Sequence, residues 1–321
     1  MNIAVLTSGG DSPGMNAAVR AVVRTGLAEK TRIFGFYEGY RGLTENRHVA
    51  FDHESVSEII DRGGTILRTA RYKEFLELET RERAAANLKA LDIDTLIVIG
   101  GNGSMAGAEK LQELGAHAIG VPASIDNDVY GTDFSIGFDT ALNTVVGLLS
   151  KLRDTASSHE RIFIVEVMGR ECGAIALFAG MAGGADHVCL PETPAMEERQ
   201  LQQMSEIVNR RYRTGKTHTI IIVAEGSGSA EDVGRAIHER TRREVRVSVL
   251  GHIQRGGSPS AFDRILAGRL AARAVDLTIA GESGVMVGLG NGRTRTVPLI
   301  DTYTKPVETD PELAELASIL S

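Results

Sequence analysis

Short apolar, β-branched runs recur along the chain, each ending in small or glycine-rich residues, and helix-spaced segments follow nearly every one. Residues 2–6 end in Thr7-Ser8-Gly9-Gly10-Asp11-Ser12-Pro13-Gly14, after which residues 15–29 set Ala18, Val22 and Leu27 on one helical side. Residues 33–37 read as the next strand, and residues 94–99 as another, ending in Gly100-Gly101-Asn102-Gly103-Ser104 before a helix that runs towards Leu114. Further strands are expected at 163–167, 187–190, 219–223 and 245–250, and helices at 140–152, 173–181, 196–213 and 261–279. Strands alternating with helices require crossover connections, which selects an α/β fold with mostly parallel sheets covered by helices on both faces. The 321 residues suffice for two domains or one large one, and composition marks no linker or boundary.

A second kind of strand end lies at residues 120–128. The apolar run 118–121 reads as a buried strand that stops at Pro122, whose ring cannot continue a central ladder. Beyond it Asp126 and Asp128 flank Asn127, on a loop at a strand's C-terminal end, where open α/β sheets bind ligands. Taken alone, the segment is equally an Asx-rich turn.

Two glycine loops weigh on that choice. Each follows an apolar strand and opens a helix, so backbone N–H groups and the helix dipole can meet a phosphate. Glycine suits such a loop because a side chain would keep the phosphate from the backbone. Gly101-Asn102-Gly103-Ser104-Met105-Ala106 satisfies the loose dinucleotide pattern, which keeps a nicotinamide oxidoreductase as a rival. The acidic residue expected after the next strand is missing, since that strand runs into Pro122 and Ala123. Gly215-Lys216-Thr217 misses the P-loop pattern, with Arg210 at the first glycine position and a strand following rather than preceding it. The sequon at Asn102 carries no weight in such a loop.

Arginines mark other strand ends. Arg161 opens a strand that ends in Val167-Met168-Gly169-Arg170, and another ends in Leu250-Gly251-His252-Ile253-Gln254-Arg255-Gly256-Gly257. Arginine beside glycine suits bidentate contact with phosphate, although any one of these arginines, or the lone His252, is more often a surface or structural residue. The formal net charge of −7 argues against a nucleic-acid or membrane-surface binder, while local arginine clusters still admit small anions. No apolar stretch reaches spanning length, and residues 1–6 enter a strand pattern without a basic lead, so neither a membrane segment nor a signal peptide is expected. Cys172 and Cys189 lack metal-ligand spacing and read as reduced core residues of a cytoplasmic protein.

Taken together, Thr7-Ser8-Gly9-Gly10-Asp11, Gly100-Gly101-Asn102-Gly103-Ser104, Ser124-Ile125-Asp126-Asn127-Asp128, Met168-Gly169-Arg170 and Gly251-His252-Ile253-Gln254-Arg255-Gly256-Gly257 resemble bacterial ATP-dependent 6-phosphofructokinases, in order and spacing over essentially the whole chain. The resemblance implies two Rossmann-like domains, 1–137 plus 254–304 for ATP and 138–253 plus 305–321 for the sugar phosphate, in a homotetramer. It implies phosphoryl transfer from MgATP to the 1-hydroxyl of fructose 6-phosphate, the committed step of glycolysis, under allosteric control. By the same resemblance Asp126 is the base, as an aspartate is in other kinases, and Arg170 and the Gly10 loop stabilise the moving phosphoryl group. Gly10, Arg71, Tyr72, Gly101, Asn102, Gly103 and Ser104 fall at ATP-binding positions. Ser124, Ile125, Asp126, Met168, Gly169, Arg170, Glu225, His252, Ile253, Gln254 and Arg255 fall at sugar-phosphate positions, with Arg161 and Arg246 reaching across from a neighbouring subunit. Pyrophosphate-using members carry an acid at the Gly103 position and a lysine at the Ala123 position, so ATP is the expected donor.

Departures from the family pattern carry their own expectations. Asn102 stands where the family has an aspartate for Mg²⁺, which predicts weakened metal·ATP binding or slower turnover. Ala123-Ser124 replaces Gly-Thr, adding a methyl near the expected nucleotide path, and Ala174 replaces an aspartate; these leave a catalytically weakened or regulatory paralogue as the second reading. Arg20, Arg24, Arg153, Gly184, Asp186, Lys216 and His218 match the family's intersubunit site for ADP and phosphoenolpyruvate. His53, Thr214 and Thr217 replace basic side chains there, which predicts blunted allostery with pH sensitivity through His53.

Overall fold

In the computed structural model, residues 1–159, 161–216, 218–307 and 311–320 are described. The strands are β1 (Asn2–Thr7), β2 (Arg32–Phe36), β3 (His48–Phe51), β4 (Thr95–Gly100), β5 (Ala118–Pro122), β6 (Ile162–Val167), β7 (His187–Cys189), β8 (Thr219–Ala224), β9 (Val245–Val249), β10 (Val285–Gly290) and β11 (Arg293–Pro298). The α-helices are α1 (Met15–Ala28), α2 (Tyr40–Thr44), α3 (Leu78–Ala90), α4 (Asn102–Gln112), α5 (Phe138–His159), α6 (Ala174–Gly183), α7 (Glu198–Arg213), α8 (Ala230–Thr241), α9 (Ala261–Ile279), α10 (Asp301–Thr304) and α11 (Pro311–Leu320). The chain divides into two compact units, Met1–Thr140 with Arg255–Val307, and Ala141–Gln254 with Glu308–Ser321.

The first unit holds a seven-stranded sheet ordered β11-β10-β5-β4-β1-β2-β3. Its centre is parallel, as the alternation requires, and each side of the sheet has its own core. Alternate residues of one strand point to opposite faces. Ile3, Val5, Ile97 and Ile99 therefore pack with α1 and α9, while Ala4, Leu6, Leu96 and Val98 pack with α2, α3 and α4. Each fully buried Val, Leu or Ile side chain among them contributes about 1.5–3 kcal/mol.

The antiparallel edges β3 and β11 escape the sequence reading. β10 and β11 are joined by Asn291-Gly292, both at positive φ, a hairpin signal legible in the sequence. β5 runs through Pro122 instead of stopping before it, pairing Gly100 with Pro122 at its last position, where the missing N–H costs least. α5 starts at Phe138 and reaches His159, longer than expected at both ends. At its start the buried Asp263 carboxylate accepts from Gly137 N and Thr140 N, each at 2.8 Å, which caps the helix two residues early.

The second unit carries a parallel four-stranded sheet ordered β7-β8-β6-β9. Its core takes in Ile162, Ile164, Ile221, Val223 and Cys189, with Met204 and Val208 from α7. Cys189 is the reduced core thiol expected, and burial pushes its pKa up to about 12. Cys172 is reduced but only half-buried.

Candidate active site

Three loops at the C-terminal ends of β1, β4 and β5 make up the first unit's site. The β1 loop turns through Gly9 at φ +86° and Gly14 at φ +103°. Gly10 is dictated by a neighbour: a Cβ there would lie 2.6 Å from Arg255 Nη1. Arg255 Nη1 also donates to Asp11 O at 3.2 Å, so this arginine, matched by resemblance to the sugar phosphate, lies against the glycine loop. Thr69 Oγ1 donates to Gly9 O at 2.6 Å and pins the loop from the segment that leads to Arg71 and Tyr72. Arg71 is exposed, and Tyr72 is half-buried against the core.

The β4 loop opens α4 at Gly101, where no side chain caps the helix and the first N–H groups stay available to an anion. Gly103 is exposed, with nothing near its Cβ position. Tyr40 Oη donates to Ser104 O at 2.5 Å, and burial lifts this phenol well above its ordinary pKa, so it remains a donor. Its ring stacks on Phe75 at 4.1 Å. Sequence reading missed Tyr40.

Asn102 links this loop to the carboxylates. Its Nδ2 donates to Asp128 O and to Asp128 Oδ2, both at 3.0 Å. Both are acceptors, so the amide nitrogen must face them. Oδ1 is thereby turned the other way, buried and without a hydrogen-bond partner. Asp128 Oδ1 accepts from Ser124 Oγ at 2.8 Å, and the same hydroxyl accepts from Asp126 N at 3.3 Å. Asp126 itself is half-buried.

Asn127 closes the β5 loop on itself. It sits at φ +52°, donates to Asp133 O at 3.1 Å and accepts from Ser135 N at 2.7 Å. The Asx-turn reading is therefore right for Asn127. Ile125 is fully buried, so its side chain is withheld from a ligand. The Ala123 methyl, expected near the nucleotide path, packs instead in the α1–α9 core, because Ala123 continues the β5 alternation and bridges Ile136.

In the second unit Met168 N donates to Gln254 Oε1 at 3.2 Å, and Gly169 N donates to Glu225 Oε1 at 3.4 Å. Gly169 has φ +132°, a backbone open to glycine alone. Gln254 is fully buried and returns its Nε2 to Gly251 O at 3.0 Å, so its side chain serves the loop. His252 and Ile253 are exposed beside it. Among the described residues Arg170 pairs with Glu171 at 3.2 Å, both 81 % exposed, an ion pair of little strength in water.

Arg161 and Arg246 converge on one carboxylate. Arg161 Nε lies 3.2 Å from Glu244 Oε1, an ion pair without hydrogen-bond alignment, and Arg246 Nη2 meets the same oxygen. Glu244 was missed: it lies in the loop just before β9, where no strand or helix pattern marks it.

Three of the residues matched to an effector site, Arg24, Arg153 and Asp186, are engaged within their own units. Arg24 Nη1 donates to His53 Nδ1 at 3.0 Å, with Arg20 one turn earlier on α1. Arg153 Nη2 donates to Gly183 O and, at 2.7 Å, to Gly184 O. Asp186 is buried; it pairs with Arg211 and accepts from Ile220 N at 2.8 Å. Burial and then Arg211 lower the pKa of His218. Lys216 is exposed, and Thr217 lies outside the described residues.

Residues 2–278 match the family model described as Phosphofructokinase. The chain belongs to that family. The ATP-dependent 6-phosphofructokinases of Bacillus pumilus and Bacillus subtilis are each 51% identical to this phosphofructokinase over 319 residues, 99% of either chain. A solved phosphofructokinase from Saccharomyces cerevisiae superposes with TM-score 0.87 at 36% identity, covering 99% of this chain and 46% of the yeast chain. A pyrophosphate-dependent phosphofructokinase from Marinobacter aquaeolei shares the fold, with TM-score 0.85 at 22% identity.

Proposed function

We infer that this chain transfers the γ-phosphoryl group of ATP to the 1-hydroxyl of fructose 6-phosphate, as an ATP-dependent 6-phosphofructokinase. Support comes from near-full-length relatives bearing that name, and one observation in the first unit carries it. The Gly10 loop, the uncapped start of α4 and the Asp126 loop stand at the ends of strands ordered β5-β4-β1. A phosphate cradle and a carboxylate base are thus held on one rigid sheet edge.

In this reading the first unit binds ATP through Gly10, Arg71, Tyr72 and the main chain of residues 101–104. Asp126 accepts the proton of the attacking hydroxyl. A carboxylate suffices, because a loose transition state asks chiefly for positioning and charge stabilisation. Arg170, with the Gly10 N–H groups, stabilises charge on the transferred group. Met168, Glu225, His252 and Arg255 hold the sugar phosphate, together with Arg161 and Arg246 from a neighbouring subunit of a homotetramer. The donor is ATP rather than pyrophosphate, since neither Gly103 nor Ala123 carries a charge.

The donor set fits Mg²⁺. Among the described residues no group of three or more His, Cys, Asp or Glu could hold a metal, so an ion here must share nucleotide phosphates. Asn102 Oδ1, buried and without a hydrogen-bond partner, would be the oxygen that holds it, with Asp128 fixing the amide from the other side, and the ion would supply charge neutralisation between the phosphates. At the second site ADP and phosphoenolpyruvate act weakly, because Asp186 is already spent on Arg211 and Arg153 on two carbonyls. The enzyme works in the cytoplasm; among the described residues no helix is long and apolar enough to cross a membrane.

The deciding experiment is formation of fructose 1,6-bisphosphate from ATP across a Mg²⁺ titration, for this chain and for Asp126→Asn. Turnover by the parent and a loss of 10²-fold or more in Asp126→Asn is the expected result. Full turnover in the variant would overturn the role of Asp126, and silence in the parent would favour a binding-only paralogue.

A further inference from the structure

The phosphate loop and the base's loop leave strands that are not neighbours. β4 lies between β1 and β5, so the two loops start about 10 Å apart, at some 4.8 Å per strand, and no ladder joins them directly. Two serines bridge that gap, and neither belongs to the ligand-contacting set above. Ser12, two residues beyond Gly10, is fully buried, and its Oγ donates to Ile136 O at 2.5 Å. Ser135, the next residue back along the chain, is also fully buried. Its Oγ donates to Ser124 O at 2.5 Å and lies 3.0 Å from Asn127 Oδ1, on either side of Asp126.

Two glycines show how closely the segments are fitted. A Cβ on Gly137 would lie 1.7 Å from Ser12 Oγ, and a Cβ on Gly14 would lie 2.6 Å from Ile136 Cγ2. Residues 12–14 and 135–137 therefore pack backbone to side chain along their length. Ile136 N in turn donates to Pro122 O at 3.0 Å, which anchors this segment to the end of β5. The path runs from the Gly10 loop through Ser12, Ile136 and Ser135 to the two residues that flank Asp126.

We propose that Ser12 and Ser135 are positioning residues that set the distance between the donor phosphoryl group and the Asp126 carboxylate. This rests on the assignment of Asp126 as base and of the Gly10 loop as phosphate cradle. Neither hydroxyl needs to touch a substrate for this role. Each fixes the main chain of a loop that does, and a displacement of about 1 Å between reacting groups costs on the order of 10²-fold in rate. Binding of each substrate depends on its own loop and is left intact. The signature is thus a fall in kcat without a matching rise in either KM.

The test compares the parent, Ser12→Ala, Ser135→Ala and the double variant by steady-state kinetics, with thermal unfolding as a check on folding. ATP consumed per fructose 1,6-bisphosphate formed is measured in the same samples. The expected result is a 10- to 100-fold lower kcat in each single variant, with both KM values within about twofold of the parent. ATP consumed per product should rise above one, as a misplaced base lets water compete with the sugar. The double variant should lose less than the product of the single losses, because the two serines act along one path. A folded Ser12→Ala with the parent's kcat overturns the proposal, as does a fall in kcat matched by an equal rise in KM for ATP. Should Ser12→Ala not fold, the kcat and KM values of Ser135→Ala decide by the same criteria. Asp126→Asn separates the two ideas: retained activity there removes the base itself, whereas its loss alongside an unaffected Ser12→Ala removes only the positioning role.

Discussion

Asn102 spends its amide nitrogen on Asp128, donating to both the carbonyl and the carboxylate at 3.0 Å, and so leaves a buried oxygen facing away without a partner. A donor thus occupies the place where a second carboxylate would need a cation to bridge it to Asp128. The loop keeps its geometry in the absence of metal, at the cost of one negative charge for drawing metal in.

Asn102→Asp should therefore behave oppositely with and without the ion. In chelator, two carboxylates in contact and two lost hydrogen bonds should cost about 1–3 kcal/mol. With Mg²⁺ and ATP the extra charge should lower the Mg²⁺ concentration needed for half-maximal turnover. Melting temperatures in both buffers, beside a Mg²⁺ titration of activity, check this; identical Mg²⁺ dependence in parent and variant would refute it.

Gly10→Ala should fold and yet fail as a catalyst. The clash at 2.6 Å is with the mobile end of Arg255, which can swing aside at little cost to the fold. Displacing that guanidinium from the phosphate loop should lower kcat/KM by roughly 10- to 100-fold. Near-parent melting combined with that loss is the expected pair of readings.

Glu244→Gln should loosen the sugar phosphate. Glu244 is the carboxylate on which both Arg161 and Arg246 converge, and a neutral amide orients them less firmly. KM for fructose 6-phosphate should rise about fivefold, equivalent to ~1 kcal/mol, with kcat unchanged. A lower KM would mean that the carboxylate competes with the phosphate instead.

The two cysteines should separate by reactivity and by pH. At pH 8 a thiol reagent should modify the half-buried Cys172 and reach Cys189 only in denaturant. Above the ordinary thiol value of 9.0 the unfolded chain ionises at Cys189, while the folded chain keeps its proton up to about 12. The contribution of Cys189 to stability is therefore full below pH 9 and is lost as pH rises from 9 towards 12. Urea titrations of parent and Cys189→Ala across that range should converge as pH rises.

Much of the fold is legible in the residue order because strand and helix periodicities are local. β1 and β4 follow directly from short continuous apolar runs, and α9 from apolar residues at period 3.6. The antiparallel edges were harder to see: β3 is short, and β11 alternates weakly between charged and small residues. The site loops stand out for a similar reason, since glycine and Asx residues signal backbone demands that hold wherever the loop ends up.

By itself, then, the sequence determined the alternating α/β architecture, the loops that bear the chemistry, and the carboxylate and arginines available to perform it. Only the tertiary structure decided which of those side chains face a ligand. Ile125, Ala123 and Gln254 are turned inward, and Asp186 is consumed by Arg211, 25 residues further along the chain. It alone brought Ser12 to Ile136 and Arg255 to Gly10, across 124 and about 245 residues of sequence. Periodicity and turn chemistry act over a few residues, whereas these contacts arise from packing between strands and helices distant in sequence, for which no local pattern exists.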